Sequence, residues 1–136
     1  MAPHMQKSLV LILARELASK LATAMFVADS DGRLVYFNEG AERILGKTFA
    51  EAGELPASEW TELFAVEELD GSPMSLRDMP GGVALFQRRP AHHTFRMTGF
   101  DGKKREVSVT AFPLMAHESD LVGIVNVFWE HRQGEE

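Results

Sequence analysis

Residues 25–46, MFVADSDGRLVYFNEGAERILG, constrain the fold more tightly than any other stretch. An apolar run at 25–28 and a second run at 33–37, rich in β-branched and aromatic residues, flank Asp29-Ser30-Asp31-Gly32. Asp-Gly supplies the positive φ that a tight hairpin turn demands, so the two runs are expected to be antiparallel strands. Asn38 follows the second strand directly, with a side-chain oxygen able to cap a helix and Glu39 and Glu42 where the helix dipole favours anions. Ala41, Ile44 and Leu45 repeat at helical spacing, and Gly46 offers a left-handed stop. The stretch therefore predicts strand, hairpin, strand and an Asn-capped short helix. As a calcium loop it fails, because the glycine falls two places early and no Glu closes a twelve-residue ligand set.

The C-terminal third predicts three more strands. Residues 91–100 form the first, and Asp101-Gly102 supplies a second hairpin turn. Over 103–114, Val107, Val109 and Ala111 alternate with Glu106, Ser108 and Thr110, the period of a strand with one face buried. Pro113 is expected to end that strand, with a polar loop at 116–120. Residues 121–129 are apolar at nearly every position, which predicts a strand covered on both faces in the middle of the sheet.

Between hairpin and triplet, residues 48–64 read as one or two short helices interrupted by Pro56. Ser58 or Thr61 are candidate caps, and Trp60, Leu63 and Phe64 an apolar face. Asp70-Gly71-Ser72-Pro73 is a turn, and Ser75 caps a segment with Asp78 in its first turn. Pro80-Gly81-Gly82 is expected to break a helix, leaving the better-formed part at about 82–88. It lacks the Lys and preceding strand of a phosphate loop.

At the front, residues 1–4 with Met5 look like a cloning remnant before a native start. Ser8 is a candidate cap for a helix to about Leu21, in which Leu9, Val10, Leu13, Leu17 and Leu21 make a stripe that Leu11 and Ile12 widen. A helix on one surface needs one apolar face; the excess predicts a second buried surface, most simply another copy of the chain, so residues 8–21 are the expected homodimer contact. Lys7, Arg15, Glu16 and Lys20 break the run at 9–13 and argue against a signal sequence. With 136 residues the chain can bury one core; its net charge of −6 offers no footprint for nucleic acid or an anionic membrane. Lack of cysteine excludes disulfides, thiolate metal sites and a thiol nucleophile. No run approaches a membrane span, and a cytoplasmic location is expected.

DSDGRLVYFNEGAERILG resembles the opening of a PAS domain, and REVSVTAFPL with DLVGIVNVFWE resembles its last two strands. The resemblance covers about residues 21–131. It implies an α+β fold: a five-stranded antiparallel sheet of order 2-1-5-4-3, short helices on one face and an N-terminal flanking helix. The implied division is a flanking or dimerisation helix at 5–22, the PAS domain at 23–131 and a tail at 132–136. PAS domains commonly dimerise through such a helix. Glu130-His131 stands where the family usually has an Asp before a linker motif.

In the PAS layout, Trp60, Phe64, Met79, Val83, Phe86, Phe95, Met97, Val109 and Val125 surround the space between sheet and helices. That lining is nearly all hydrocarbon and suits a flat or greasy molecule, such as a fatty acid or a weakly held aromatic. Haem-binding relatives usually take their ligand from the pocket helix, but 75–89 contain no histidine; His92 and His93, being adjacent, point to opposite faces of a strand. Trp60 is placed to stack on a flavin, while the cysteine-adduct chemistry of the LOV branch has no cysteine here. The resemblance thus implies a non-catalytic sensory or signal-transduction module. It would bind a small apolar ligand or a protein partner and relay the change through its flanking helix to an output domain. The alternatives are a haem- or flavin-binding PAS sensor and a small α+β pocket enzyme, for which Asp29 and His93 are the candidate bases.

Overall fold

The computed structural model describes residues 3–117 and 120–131; residues 1, 2, 118, 119 and 132–136, and the side chains of residues 3–8, Thr61 and Leu63, lie outside the described residues. The chain runs α1 (Pro3–Ser19), β1 (Ala24–Asp29), β2 (Leu34–Phe37), α2 (Glu39–Leu45), α3 (Phe49–Ala52) and α4 (Ala57–Leu63), then a 3-10 turn (Leu76–Asp78), α5 (Pro80–Gln87), β3 (Ala91–Thr98), β4 (Lys104–His117) and β5 (Asp120–His131). The five strands form one sheet in the order β2-β1-β5-β4-β3, every pairing antiparallel. β5 is the middle strand, and Leu121 through Asn126 are all buried.

The Asp-Gly hairpin forms as its chemistry requires. Gly32 sits at φ 81°, and the Asp29 carboxylate accepts the backbone N–H groups of Asp31 and Arg33. Asn38 caps α2 by accepting the Ala41 N–H, and Gly46 ends the helix at φ 83°. Ser75 and Asp78 cap the 3-10 turn reciprocally.

Several boundaries move for identifiable reasons. α1 is already helical at Pro3, so its start is not at Ser8; proline at a first helical position loses no intrahelical bond. α4 begins straight after Pro56 and places Ser58 inside the helix rather than at its cap; α3 takes a Thr48–Glu51 capping box. Pro80 starts α5 instead of breaking it, and the following glycines are buried contact points. A Cβ on Gly82 would lie 1.7 Å from the Leu76 carbonyl oxygen, so only glycine admits the 3-10 turn there. Pro113 lies within β4, because β3 begins opposite Ala111 and β4 beyond that point has a strand on one side only. The expected loop at 116–120 is largely strand, with His117 paired to Asp120.

The two faces of the sheet are covered differently. One carries the main core, in which Ala24, Phe37, Phe95, Met97, Val107 and Phe128 meet Leu45, Trp60, Phe64 and Met79. On the other, α1 lies over Met25, Val27 and Val125 through Ala18, with Leu11 and Ala14 beside it. Small alanines face the sheet, so the helix closes in tightly, and the leucine stripe of the sequence turns to solvent. Leu9, Ile12, Leu13, Leu17 and Leu21 are 41–59% exposed.

Candidate functional site: a small apolar cavity beneath the central strand

Strand alternation sorts β5 cleanly. Ile124, Asn126 and Phe128 point to the core face, while Val125 and Val127 point to α1. Between the core face and α2 and α4 lies a cavity of about 40 Å³. Trp60, Phe64, Phe95, Met97 and Val109 line it as expected, joined by Phe26, Leu45, Val66, Phe128 and Asn126.

The other expected lining residues lie elsewhere. Met79 belongs to the same core cluster without reaching the cavity wall. Val125 packs against Met25, Val27 and Ala18 on the opposite face. On α5, Ala84 and Leu85 take the inward positions against Ala28, Ala111 and Ile124. Val83 therefore lines a surface groove, and Phe86 is 46% exposed under the Arg77 guanidinium, 4.3 Å from its ring centroid.

Trp60 is fully buried, donates Nε1–H to the Gly32 carbonyl at 2.9 Å and meets Phe26 edge-on. Its polar edge is thus committed to the hairpin turn. Asn126 is the residue that sequence reasoning passed over. It is 2% exposed, and its Nδ2 has no hydrogen-bond partner, alone among buried side-chain nitrogens and oxygens of the described residues. The signal was present as the one polar side chain inside an apolar strand.

A cavity of this size holds a few water-sized groups, against roughly 300–1,000 Å³ for sites that enclose drug-sized ligands. A haem or flavin does not fit it as folded. His92 faces the opposite side of the sheet, bonded to Thr110 and 5.9 Å from the Trp129 ring. His93 has a partner that the sequence did not reveal: its Nε2 lies 2.6 Å from Glu68 Oε1 across a half-exposed contact. Nearby, Asp78 is held below its ordinary pKa by hydrogen bonds from the Ser75 backbone and hydroxyl, with the charge of His93 adding to them. The groove there is lined by Asp78, Pro80, Val83, Arg89, Pro90, Ala91, His92 and His93, a set without a hydroxyl nucleophile. Asp29, the other candidate base, spends its carboxylate on the hairpin backbone. Among the described residues no group of three or more His, Cys, Asp or Glu could hold a metal ion, and no helix is long and apolar enough to cross a membrane.

Comparison with known proteins agrees with this architecture. The family profile described as PAS domain matches residues 22–130, and the chain belongs to that family. PAS domains are typically sensory or signalling modules and generally not enzymes. Among solved structures, the chain is similar to the PAS domain of BvgS from Bordetella pertussis, with 20% identity, a TM-score of 0.61, and 91% of this chain and 87% of that one covered. It is also similar to the PAS domain of the fruit-fly ELK potassium channel (11% identity, TM-score 0.67, 88% and 95% covered). A third is the LOV protein of Rhodobacter sphaeroides (12%, 0.67, 95% and 69%). At these identities the likeness is one of fold. No curated protein matches the chain significantly.

Proposed function

We propose that this PAS domain is a homodimeric sensory module acting in the cytoplasm, which binds a small apolar ligand or a protein partner and passes the change through α1 to an output domain. The observation that carries this reading is that α1 is apolar on both sides. Leu11, Ala14 and Ala18 bury one side on the sheet. Leu9, Leu13 and Leu17, spaced four apart on one helix face, leave the other bare. A second copy is the occupant this stripe suits, since a repeating leucine row is complementary to itself about a two-fold axis. Trp129 (43% exposed) and Phe112 (36%) extend the apolar surface on the same side of the sheet.

The route from cavity to helix is short. β1 and β5 present Phe26, Asn126 and Phe128 to the cavity and Met25, Val27 and Val125 to α1. Whatever repacks the cavity shifts strands on which α1 rests, and a ligand biases the two packings by its difference in affinity for them. Light scattering is expected to give twice the 15.1 kDa monomer mass for the wild type and the monomer mass for Leu13→Glu/Leu17→Glu, with unchanged circular dichroism. A monomeric wild type at millimolar concentration refutes the dimer.

A further inference from the structure

Arg96 of β3 turns both of its backbone groups away from β4: its N–H and carbonyl bond Glu67, each at 2.9 Å, and the Thr98 N–H reaches the Phe64 carbonyl. The segment 64–67 thus lies along the outer edge of β3, antiparallel to it. Outward-facing residues alternate along such an edge, so Thr94 and His92 also direct N–H and carbonyl outward. Their side chains agree, since Thr94 meets Ser108 and His92 meets Thr110 across the closer, non-hydrogen-bonded pairs of the ladder. After Glu67 the chain folds back, the Glu68 N–H bonding the Ser72 carbonyl. Among the described residues no backbone group covers His92 and Thr94 on that side.

Folded proteins blunt an open edge. One strand further in the sheet does so, because the same alternation turns Pro113 of β4, which has no N–H, to its open side. Beside the bare part of β3 lies instead a groove of about 430 Å³, walled by Pro80 and Val83 of α5 and by His92 and His93. Its charges are ordered along the strand. Arg89 stands at one end, just before β3. At the other, Glu68 lies 2.6 Å from His93, and Asp78 is close enough to feel the charge of that histidine.

We propose that this edge and groove dock an extended peptide segment of a partner protein, antiparallel to β3 and in line with segment 64–67, basic toward its N-terminal end and acidic toward its C-terminal end. The peptide residue opposite His93 points to Asp78 and Glu68, the one opposite Ala91 rests on Val83 and Pro80, and the one opposite Arg89 meets the guanidinium. Residues opposite Thr94 and His92 exchange backbone hydrogen bonds with the strand, as strand addition requires. A second β3 edge suits the site less well, because segment 64–67 occupies the stretch into which its residues 88–90 would run.

This inference rests on the protein-partner half of the function proposed above and uses neither the cavity nor the dimer. The probe is acetyl-Thr-Lys-Thr-Val-Thr-Glu-amide, titrated into the ¹⁵N-labelled full chain. Saturable NMR shifts and slowed exchange are expected at the His92 and Thr94 backbone amides. N-methylation of the third residue removes the N–H that meets the His92 carbonyl and should weaken binding at least about fivefold, the factor one hydrogen bond contributes. Exchanging Lys and Glu in the peptide should also weaken it, and Arg89→Glu, an exposed change, should abolish the preference for the original charge order. Equal affinity of the methylated peptide, or of the two charge orders, overturns the proposal. So does the absence of saturable shifts at those two amides with millimolar peptide. Shifts there that follow protein concentration alone assign the edge to a second copy and overturn it too. Light scattering on the same samples reports the α1 dimer separately, so a monomer that still binds the peptide refutes only that pairing.

Discussion

Asn38 offers the sharpest test of how the chain is held together. It is 1% exposed and uses both ends of its amide. Oδ1 accepts the Met25 and Ala41 N–H groups, each at 3.0 Å. Nδ2 faces three carbonyls, those of Ala18 at 2.9 Å, Leu21 at 3.2 Å and Thr23 at 2.8 Å. One side chain thus ties the last turn of α1 to the start of β1 and the start of α2. With two hydrogens on Nδ2 and two bonds into Oδ1, about four hydrogen bonds are lost in Asn38→Ala. At about 1 kcal/mol each, the expected loss of stability is about 3–5 kcal/mol. An ordinary N-cap replaced by alanine costs about 1 kcal/mol. Asn38→Asp keeps the capping oxygen but turns the donor into an oxygen facing the carbonyls, so it should lose at least as much and free the Lys20 and Leu21 amides to exchange. Urea unfolding measures the first effect and hydrogen exchange the second. A loss of about 1 kcal/mol or less in Asn38→Ala would show that Asn38 only caps α2.

Gly82→Ala should destabilise by about 3 kcal/mol, near the top of the overpacking range, because the new Cβ meets the Leu76 backbone at 1.7 Å. Gly102→Ala, with nothing within 4 Å, bears only the strain of φ 78° and should cost about 1 kcal/mol; equal losses in urea unfolding would contradict the packing argument. Asp101 is held well below its ordinary value of 3.8, first by hydrogen bonds from the Arg105 guanidinium and then by the Lys103 backbone. A lowered carboxylate pKa adds stability at neutral pH that is lost as pH falls below 3.8. The advantage of wild type over Asp101→Asn should therefore shrink below that pH, and a gap that stays constant would refute the assignment.

The parts of the fold legible in the sequence are those encoded within a few neighbouring residues. Asp31-Gly32 dictates the hairpin, Asn38 and Gly46 bracket α2, and Ser75 with Asp78 makes a capped turn. The run at 121–129 announces a strand covered on both faces, and β5 is that strand. Phase is what such a run conceals: with every position apolar, nothing says whether Val125 or its neighbours face the core. Asn126, the interruption, marks the core face, and a reading that equates core with apolar passes over it. On α1 the bulky leucines imply burial, yet the smaller Ala14 and Ala18 face the sheet because they permit a closer approach. α5 has two turns, too few for its apolar residues to fix a phase, so the pattern alone does not tell Phe86 from Leu85 as the inward residue. The His93–Glu68 contact joins residues 25 positions apart and leaves no local trace.

The pairing of α1 with a second copy can be read most directly by cysteine cross-linking, because the chain has no native cysteine and any thiol introduced is unique. Leu9→Cys, Leu13→Cys and Leu17→Cys are oxidised singly beside Leu69→Cys and Phe86→Cys, two comparably exposed sites away from the helix, and separated on a non-reducing gel. At least one of the α1 variants should run as a covalent dimer while the two others stay monomeric. Monomers throughout, or equal cross-linking at Leu69 and Phe86, would contradict the pairing.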